Sequence, residues 1–204
     1  MASPCRATRR SSTSATSGSY KTTNGQLYWS DAHPMSVYID HYHDEVDRRL
    51  RAATRGSEMI AEIYVPLASL RTFLATVRED FLANRTNLVY GTVRLVRRDT
   101  ETFLFWAKQD SACVIFNLHL DHDAKGLERA RREFCLLIDR GLEHGGSYYL
   151  TYHRWARKDQ ILAAYPQFVE FLRRKREHDP SERFQSDWYR HYRDMFRAEL
   201  ARGG

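Results

Sequence analysis

Hydrophobic residues recur along residues 58–153 with two different periods. Apolar and polar residues alternate over 58–65, 87–98 and 111–121, as in β-strands, and a fourth such segment, 147–153, follows a Gly-Gly pair. Over 67–81 and 127–138 the apolar residues recur every three or four positions, as on one face of an α-helix. The sequence therefore predicts the order β-α-β-β-α-β.

The predicted fold class is α+β, with an antiparallel sheet in the ferredoxin-like βαββαβ order and helices on one face. A C-terminal helical tail is predicted over 158–177 and 188–202, with a break at Asp179-Pro180. Another amphipathic helix is predicted over 33–53, before the first strand.

Charge is distributed unevenly between the start of the chain and the rest. Residues 1–26 contain four basic residues, no acidic residue and eleven Ser or Thr, so we expect a disordered head. The remaining residues, 27–204, are expected to fold as one domain with a net charge of only +2 out of the total +6. The basic character of the whole chain is therefore a weak argument for nucleic acid as a partner.

The expected location is the cytoplasm. The three cysteines form no CxxC pair, and no segment approaches the roughly 18 consecutive apolar residues of a membrane span. A transit peptide is an alternative explanation of the Arg- and Ser-rich head.

Strand parity divides the predicted sheet into a core face and an open face. Cys113 and Cys135 follow apolar patterns and are expected in the core. The residues expected on the core face are Met59, Ala61, Ile63, Val65, Val89, Val93, Leu95, Val114, Phe116, Leu118 and Leu120. The residues expected on the open face are Glu62, Tyr64, Tyr90, Thr92, Arg94, Asn117, His119, Tyr149, Thr151 and His153.

The open face carries the candidate chemistry. Arg94 and Glu62 are able to orient a polyhydroxylated substrate, and His119 or His153 is able to transfer a proton near neutral pH. An alternative is an ordinary solvated sheet face. His119 and Asp121 share a strand face, but a metal site needs further ligands that the sequence does not supply.

A ferredoxin-like order also occurs in RNA-recognition modules, so a non-catalytic binding module is the alternative function. The third strand, SACVIFNLHL, lacks the basic-Gly start and the aromatic spacing of the RNA-binding octamer. We therefore do not expect nucleic acid as a partner.

Several segments resemble one enzyme family. They are EIYVP at 62–66, YGTVRLVRRDTETFLFWA at 90–107, CVIFNLH at 113–119, GGSYYLTYHRWA at 145–156, and YPQFVEFLRRKREHDPSERFQSDWYRHY at 165–192. They resemble the C-terminal part of FAD-linked oxidases of the vanillyl-alcohol oxidase type. Within that type the resemblance is to the sugar-lactone, alditol and decaprenylphosphoryl-ribose oxidases.

The resemblance implies a cap domain that covers the flavin of an FAD-binding domain and holds a sugar-like or lactone substrate. Arg94 matches the arginine on the second cap strand, and Thr92 stands where alditol oxidases have an acidic residue. The family's lysine after Gly-Gly falls on Tyr152 in a gapless match, whereas strand parity favours His153. Tyr64, Thr92, Asn117 and Tyr152 are the expected substrate-binding residues. The expectation is a truncated form whose FAD-binding domain is either encoded separately, as a partner, or lost.

Overall fold

A computed structural model of the protein describes residues 44, 47–49, 51–52 and 54–202. The chain divides into two units between Arg51 and Ala52. The elements of the second unit, in chain order, are β1 (Gly56–Pro66), a 3-10 turn (Leu67–Ser69), α1 (Leu70–Asn84), β2 (Leu88–Val96), β3 (Ser111–Asp121), α2 (Ala124–Glu143), β4 (Ser147–Tyr148), α3 (Lys158–Ala164), α4 (Phe168–His178), α5 (Asp187–Met195) and α6 (Arg197–Ala201).

Two predictions fall largely outside the described residues. The expected disordered head, residues 1–26, lies entirely outside them. Of the helix predicted over 33–53, the described residues 44 and 47–49 are helical and the described residues 51 and 52 are not. Among the helices in the described ranges, none combines the length and the apolar character that crossing a membrane requires.

The four strands form one antiparallel sheet in the order β2-β3-β1-β4. β1 and β3 pair over eleven residues, from Gly56 opposite Asp121 to Pro66 opposite Ser111. β2 pairs with β3 along its length and has a bulge between Leu88 and Tyr90. The α+β class and the antiparallel sheet are therefore confirmed.

The core lies on the side of the sheet that carries α1 and α2. All eight residues predicted for the core face of β1 and β3 are buried: Met59, Ala61, Ile63, Val65, Val114, Phe116, Leu118 and Leu120. The ring of Phe116 lies 6.2 Å from Phe73 and 5.4 Å from Phe81, both on α1. Phe134 of α2 lies 6.3 Å from Tyr148 of β4. Alternation along the two central strands thus provides the apolar surface that both helices cover.

The core prediction is wrong for two of the three β2 residues, whereas Val89 is partly buried. Val93 is 48% exposed and Leu95 is 77% exposed. β2 is an edge strand, and the helices pack over β1 and β3 instead. Parity assigned these two residues to the correct side of the sheet, but no helix within the described part of the chain covers that side at β2.

The fourth strand is shorter than predicted. β4 comprises only Ser147 and Tyr148, and the chain then turns at Leu150 and Thr151. The two-residue period therefore stops at Tyr148, so parity does not determine where the later side chains point.

The C-terminal helices pack around one aromatic residue. The predicted helix over 158–177 is two helices, α3 and α4, separated at Pro166. The rings of Phe171, Trp188, Tyr192 and Phe196 all lie 5.3–6.2 Å from the ring of Phe168. The Trp188 indole N–H donates to the Leu150 carbonyl at 2.9 Å, which ties this cluster to the chain just after β4.

Gly146 stands where the backbones of β1 and the segment after α2 approach each other closely. A Cβ atom at this position would overlap the carbonyl oxygen of Tyr64. We predict that Gly146→Ala lowers the free energy of unfolding by about 3 kcal/mol, because backbone must move to accept the methyl group. The measurement is the urea unfolding midpoint.

Gly91→Ala, on the edge strand β2, is the matched control, because its Cβ would lie 3.2 Å from the Ile115 carbonyl oxygen. We expect a loss below about 1 kcal/mol there. Equal, small losses in both variants would contradict the close approach at Gly146.

Candidate functional site

The side of the sheet opposite α1 and α2, here called the open face, carries two cross-strand rows of functional side chains. In one row Tyr64 of β1 and Arg94 of β2 lie on either side of Cys113 of β3. In the next row Glu62 and Thr92 lie on either side of Ile115. Because paired residues of antiparallel strands project to the same side, these rows place an acid, a phenol, a thiol and a guanidinium together.

Glu62 lies at the centre of this group and is only 9% exposed. The Tyr64 hydroxyl donates to Glu62 Oε2 at 3.3 Å. The Cys113 thiol interacts with both side chains. A buried carboxylate requires hydrogen-bond donors, and these two neighbours supply them from the sheet itself.

Burial and the neighbouring charge keep both donors protonated. Burial, with the negative charge of Glu62 adding to it, raises the pKa of the Cys113 thiol to about 11. Burial first, and then the charges of Cys113 and Glu62, raises the pKa of Tyr64 far above its ordinary value. At neutral pH Tyr64 and Cys113 therefore act as donors toward Glu62.

Three aromatic rings, here called the aromatic rim, lie in sequence beside this group. Trp106 lies 6.2 Å from Tyr64, Tyr149 lies 5.8 Å from Trp106, and Tyr152 lies 5.1 Å from Tyr149. Tyr152 is 41% exposed, and burial followed by the charge of Glu62 raises its pKa. The positive charge of Arg94 opposes this shift and lowers the pKa of Tyr152, so the aromatic rim extends close enough to Arg94 for the two side chains to interact.

The loop between β2 and β3 is fixed to the sheet at the rim. The Ser147 hydroxyl of β4 donates to the Trp106 carbonyl. The Tyr149 amide donates to the Glu62 carbonyl at 3.0 Å. The backbone that carries two rim residues is therefore bonded to the strands that carry the site.

Asn117 lies farther along the open face, where it is buried and pairs with another acid. Its Nδ2 donates to the carboxylate of Glu58, and its Oδ1 is buried without a hydrogen-bond partner among the described residues. Asn117 is thus on the predicted face and two residues from the row of Glu62.

His119 is buried on the predicted face but is remote from Glu62. It lies opposite Glu58, and its ring occupies the space over Gly56. Four residues separate it from Ile115, the partner of Glu62, a distance of roughly 13 Å along the strand. His119 is therefore on the predicted face, but it is too far from Glu62 for both side chains to contact one small substrate.

His153 does not lie on the open face, and this placement is a correction. Its ring stacks on Trp155 at 4.7 Å and meets the edge of Phe134, a core residue of α2, at 5.1 Å. Its Nε2 lies 3.1 Å from the Ile60 carbonyl, and burial lowers its pKa. The turn after Tyr148 changes the direction of the chain, so Tyr152 and not His153 joins the site.

Sequence reasoning missed two residues of the site. Cys113 was expected in the core, but the parity that placed Asn117 on the open face also places Cys113 there. Trp106 lies in a loop without periodicity, so no pattern in the sequence indicated its position. Within the described residues, no group of three or more His, Cys, Asp or Glu side chains is arranged to hold a metal ion.

Neither a protein-family model nor a curated protein matches the chain. A functional conclusion therefore depends on the geometry of the open face, together with the resemblance of the segments quoted above.

The raised pKa of Cys113 makes stability depend on pH. Below pH 9 the thiol is protonated in both states, and between pH 9 and 11 it ionises first in the unfolded chain. The free energy of unfolding therefore falls by about 2 kcal/mol over that interval through this group. We predict that the stability gap between the wild type and Cys113→Ala narrows by this amount, measured by urea unfolding at pH 8 and pH 11.

Thr92→Ala is the control, because it removes a neighbour on the same face that does not titrate. Its stability gap should stay constant with pH. A constant gap for Cys113→Ala as well would show that its thiol has an ordinary pKa.

Proposed function

We propose that the chain is the substrate domain of an FAD-dependent oxidoreductase that oxidises a sugar-like or lactone alcohol. The proposal includes the assignment of the sheet and its two helices to a ferredoxin-like fold, and of the last helices to a C-terminal tail of that domain. The observation that carries it is the buried Glu62 carboxylate, which lies on the same side of the sheet as the exposed Arg94 and the aromatic rim.

Glu62 is the acceptor for the substrate hydroxyl. Tyr64 and Cys113 occupy part of its hydrogen-bonding capacity and fix its position, and the remaining lone pairs are directed to the substrate. Because the carboxylate is almost fully withdrawn from water, its hydrogen bond to a hydroxyl is stronger than the same bond at the surface. Glu62 takes the hydroxyl proton as the adjacent carbon is oxidised.

Arg94 and the rim orient the rest of the substrate. The exposed guanidinium of Arg94 donates to substrate oxygens, and its several N–H groups suit a polyhydroxylated or lactone ring. The half-exposed Tyr152 covers the C–H face of that ring. Tyr152 is a phenol where the resembling oxidases have a lysine, so Arg94 is the cation of this site.

The residues fit a flavin as the neighbour of the substrate. Tyr152, at the exposed end of the aromatic rim, and Arg94, exposed on β2, present an aromatic ring and a cation on this side of the molecule. A planar, amphipathic ring system suits such a surface. A flavin held beside this surface would supply the acceptor for the hydride of the substrate carbon. We propose that an FAD-binding domain outside residues 27–204 holds it.

Substrate binding tests this proposal without a flavin. We predict that an alditol, sugar or sugar lactone binds to the chain with a dissociation constant in the millimolar range, measured by isothermal titration calorimetry. Glu62→Gln and Arg94→Met should each weaken the binding at least tenfold, because each removes a charged hydrogen-bonding group. A tenfold change corresponds to a loss of about 1.4 kcal/mol of binding free energy.

Glu79→Gln, an exposed position on α1, is the charge-matched control and should bind as the wild type does. Failure of every polyhydroxylated compound to bind, or equal binding by Glu62→Gln, would refute the assignment. Tight binding of FAD by this chain alone would refute the proposal that a separate domain binds the FAD.

A further inference from the structure

β2 forms a long open edge of the sheet. Among the described residues, β3 is the one strand that pairs with it, and its other side is unpaired. All but two of its nine residues, Val89 and Val96, are exposed. Beyond the bulge, the segment from Tyr90 to Val96 is regular and pairs residue for residue with β3. An open edge of this length is a template for another strand.

The sequence of this edge lacks the usual protection against pairing. LVYGTVRLV contains no proline and no acidic residue, and its one charged residue is Arg94. Val93 and Leu95 also leave an apolar strip uncovered on the helix side. Pairing of this edge would bury that strip, so both the backbone and the side chains favour an added strand.

We propose that the partner of this edge is β2 of a second copy of the chain, paired antiparallel about Thr92. In this register Thr92 lies opposite Thr92 of the second copy. Tyr90 lies opposite Arg94, which forms two cation–π pairs across the interface. Val93 lies opposite Gly91, whose missing side chain leaves room for it.

The chemistry of the strand selects this register among its neighbours. A register centred on Arg94 would place two guanidinium groups opposite each other, which is unfavourable. A register centred on Val93 would place Arg94 opposite Thr92 and would lose both cation–π pairs. In the register about Thr92, by contrast, Arg94 of each copy contacts Tyr90 of the other copy.

The opposite edge of the sheet explains why the assembly stops at two copies. β4 has only two residues, which is too short to act as a second template. A symmetric β2–β2 contact uses the same surface on both copies, so it occupies the β2 edge of each and closes at two copies. The product is a closed dimer with an eight-stranded sheet, and this inference does not depend on the proposed function.

Sedimentation velocity of the full chain tests the dimer. The wild type should sediment at twice the monomer mass at micromolar concentrations. Leu95→Lys should raise the dimer dissociation constant at least tenfold, because it places a charge in the strip that the contact buries. Leu82→Lys is the matched control, since Leu82 is 64% exposed on α1 and lies outside the contact; it should remain dimeric.

A cross-link tests the register. In a Cys5→Ser background, Thr92→Cys should form a disulfide-linked dimer under mild oxidation, because directly paired antiparallel residues lie within the Cα separation of a disulfide. Thr151→Cys, in an exposed turn, is the control and should stay monomeric on a non-reducing gel.

Two results would overturn the proposal. One is a wild-type chain that remains monomeric up to about 100 micromolar. A dimer dissociation constant above that value corresponds to less than about 5.5 kcal/mol of association free energy, which is too weak for a specific dimer. The other is a dimer in which Leu95→Lys has no effect and Thr92→Cys does not cross-link, which would place the contact elsewhere.

Discussion

The ladder between β1 and β3 is the interaction on which the rest of the structure depends. Its eleven residue pairs decide which side chains enter the core and which reach the open face. A shift of one residue would send Glu62 and Tyr64 toward Phe73 and Phe134 and would expose Ile63. Because burying a carboxylate among apolar rings is strongly unfavourable, the core and the site enforce the same register.

The site combines a carboxylate fixed on a central strand with an aromatic rim that is held from outside the central strands. Glu62 lies on a central strand, whereas Trp106 lies in the loop before β3 and Tyr149 lies after β4. Both rim segments are bonded to strands, through the Ser147 hydroxyl and through the Glu62 carbonyl. The loops of this sheet therefore position aromatic rings without belonging to the sheet, a common way to shape a site on a scaffold.

The sequence predicted most of the sheet, and its errors have physical causes. Alternation specifies the side of the sheet to which a residue points, but it does not specify whether another element covers that residue. The burial predicted for Leu95 was therefore wrong. Parity holds only while the strand continues, so the turn after Tyr148 reversed the expectations for Tyr152 and His153. Trp106 has no periodic neighbours, and only the folded loop brings it to Tyr64.

The two charged groups of the open face differ in how firmly the sheet holds them. Glu62 belongs to a strand with a neighbour on each side, whereas Arg94 belongs to the strand at the end. End strands open locally at lower free energy than central ones, so the guanidinium is the more mobile of the pair in a single copy, where the outer side of β2 is unpaired. A molecule that spans both groups joins the fraying strand to the fixed one. Its binding would therefore appear as slower hydrogen exchange of the β2 amides, with those of β1 unchanged.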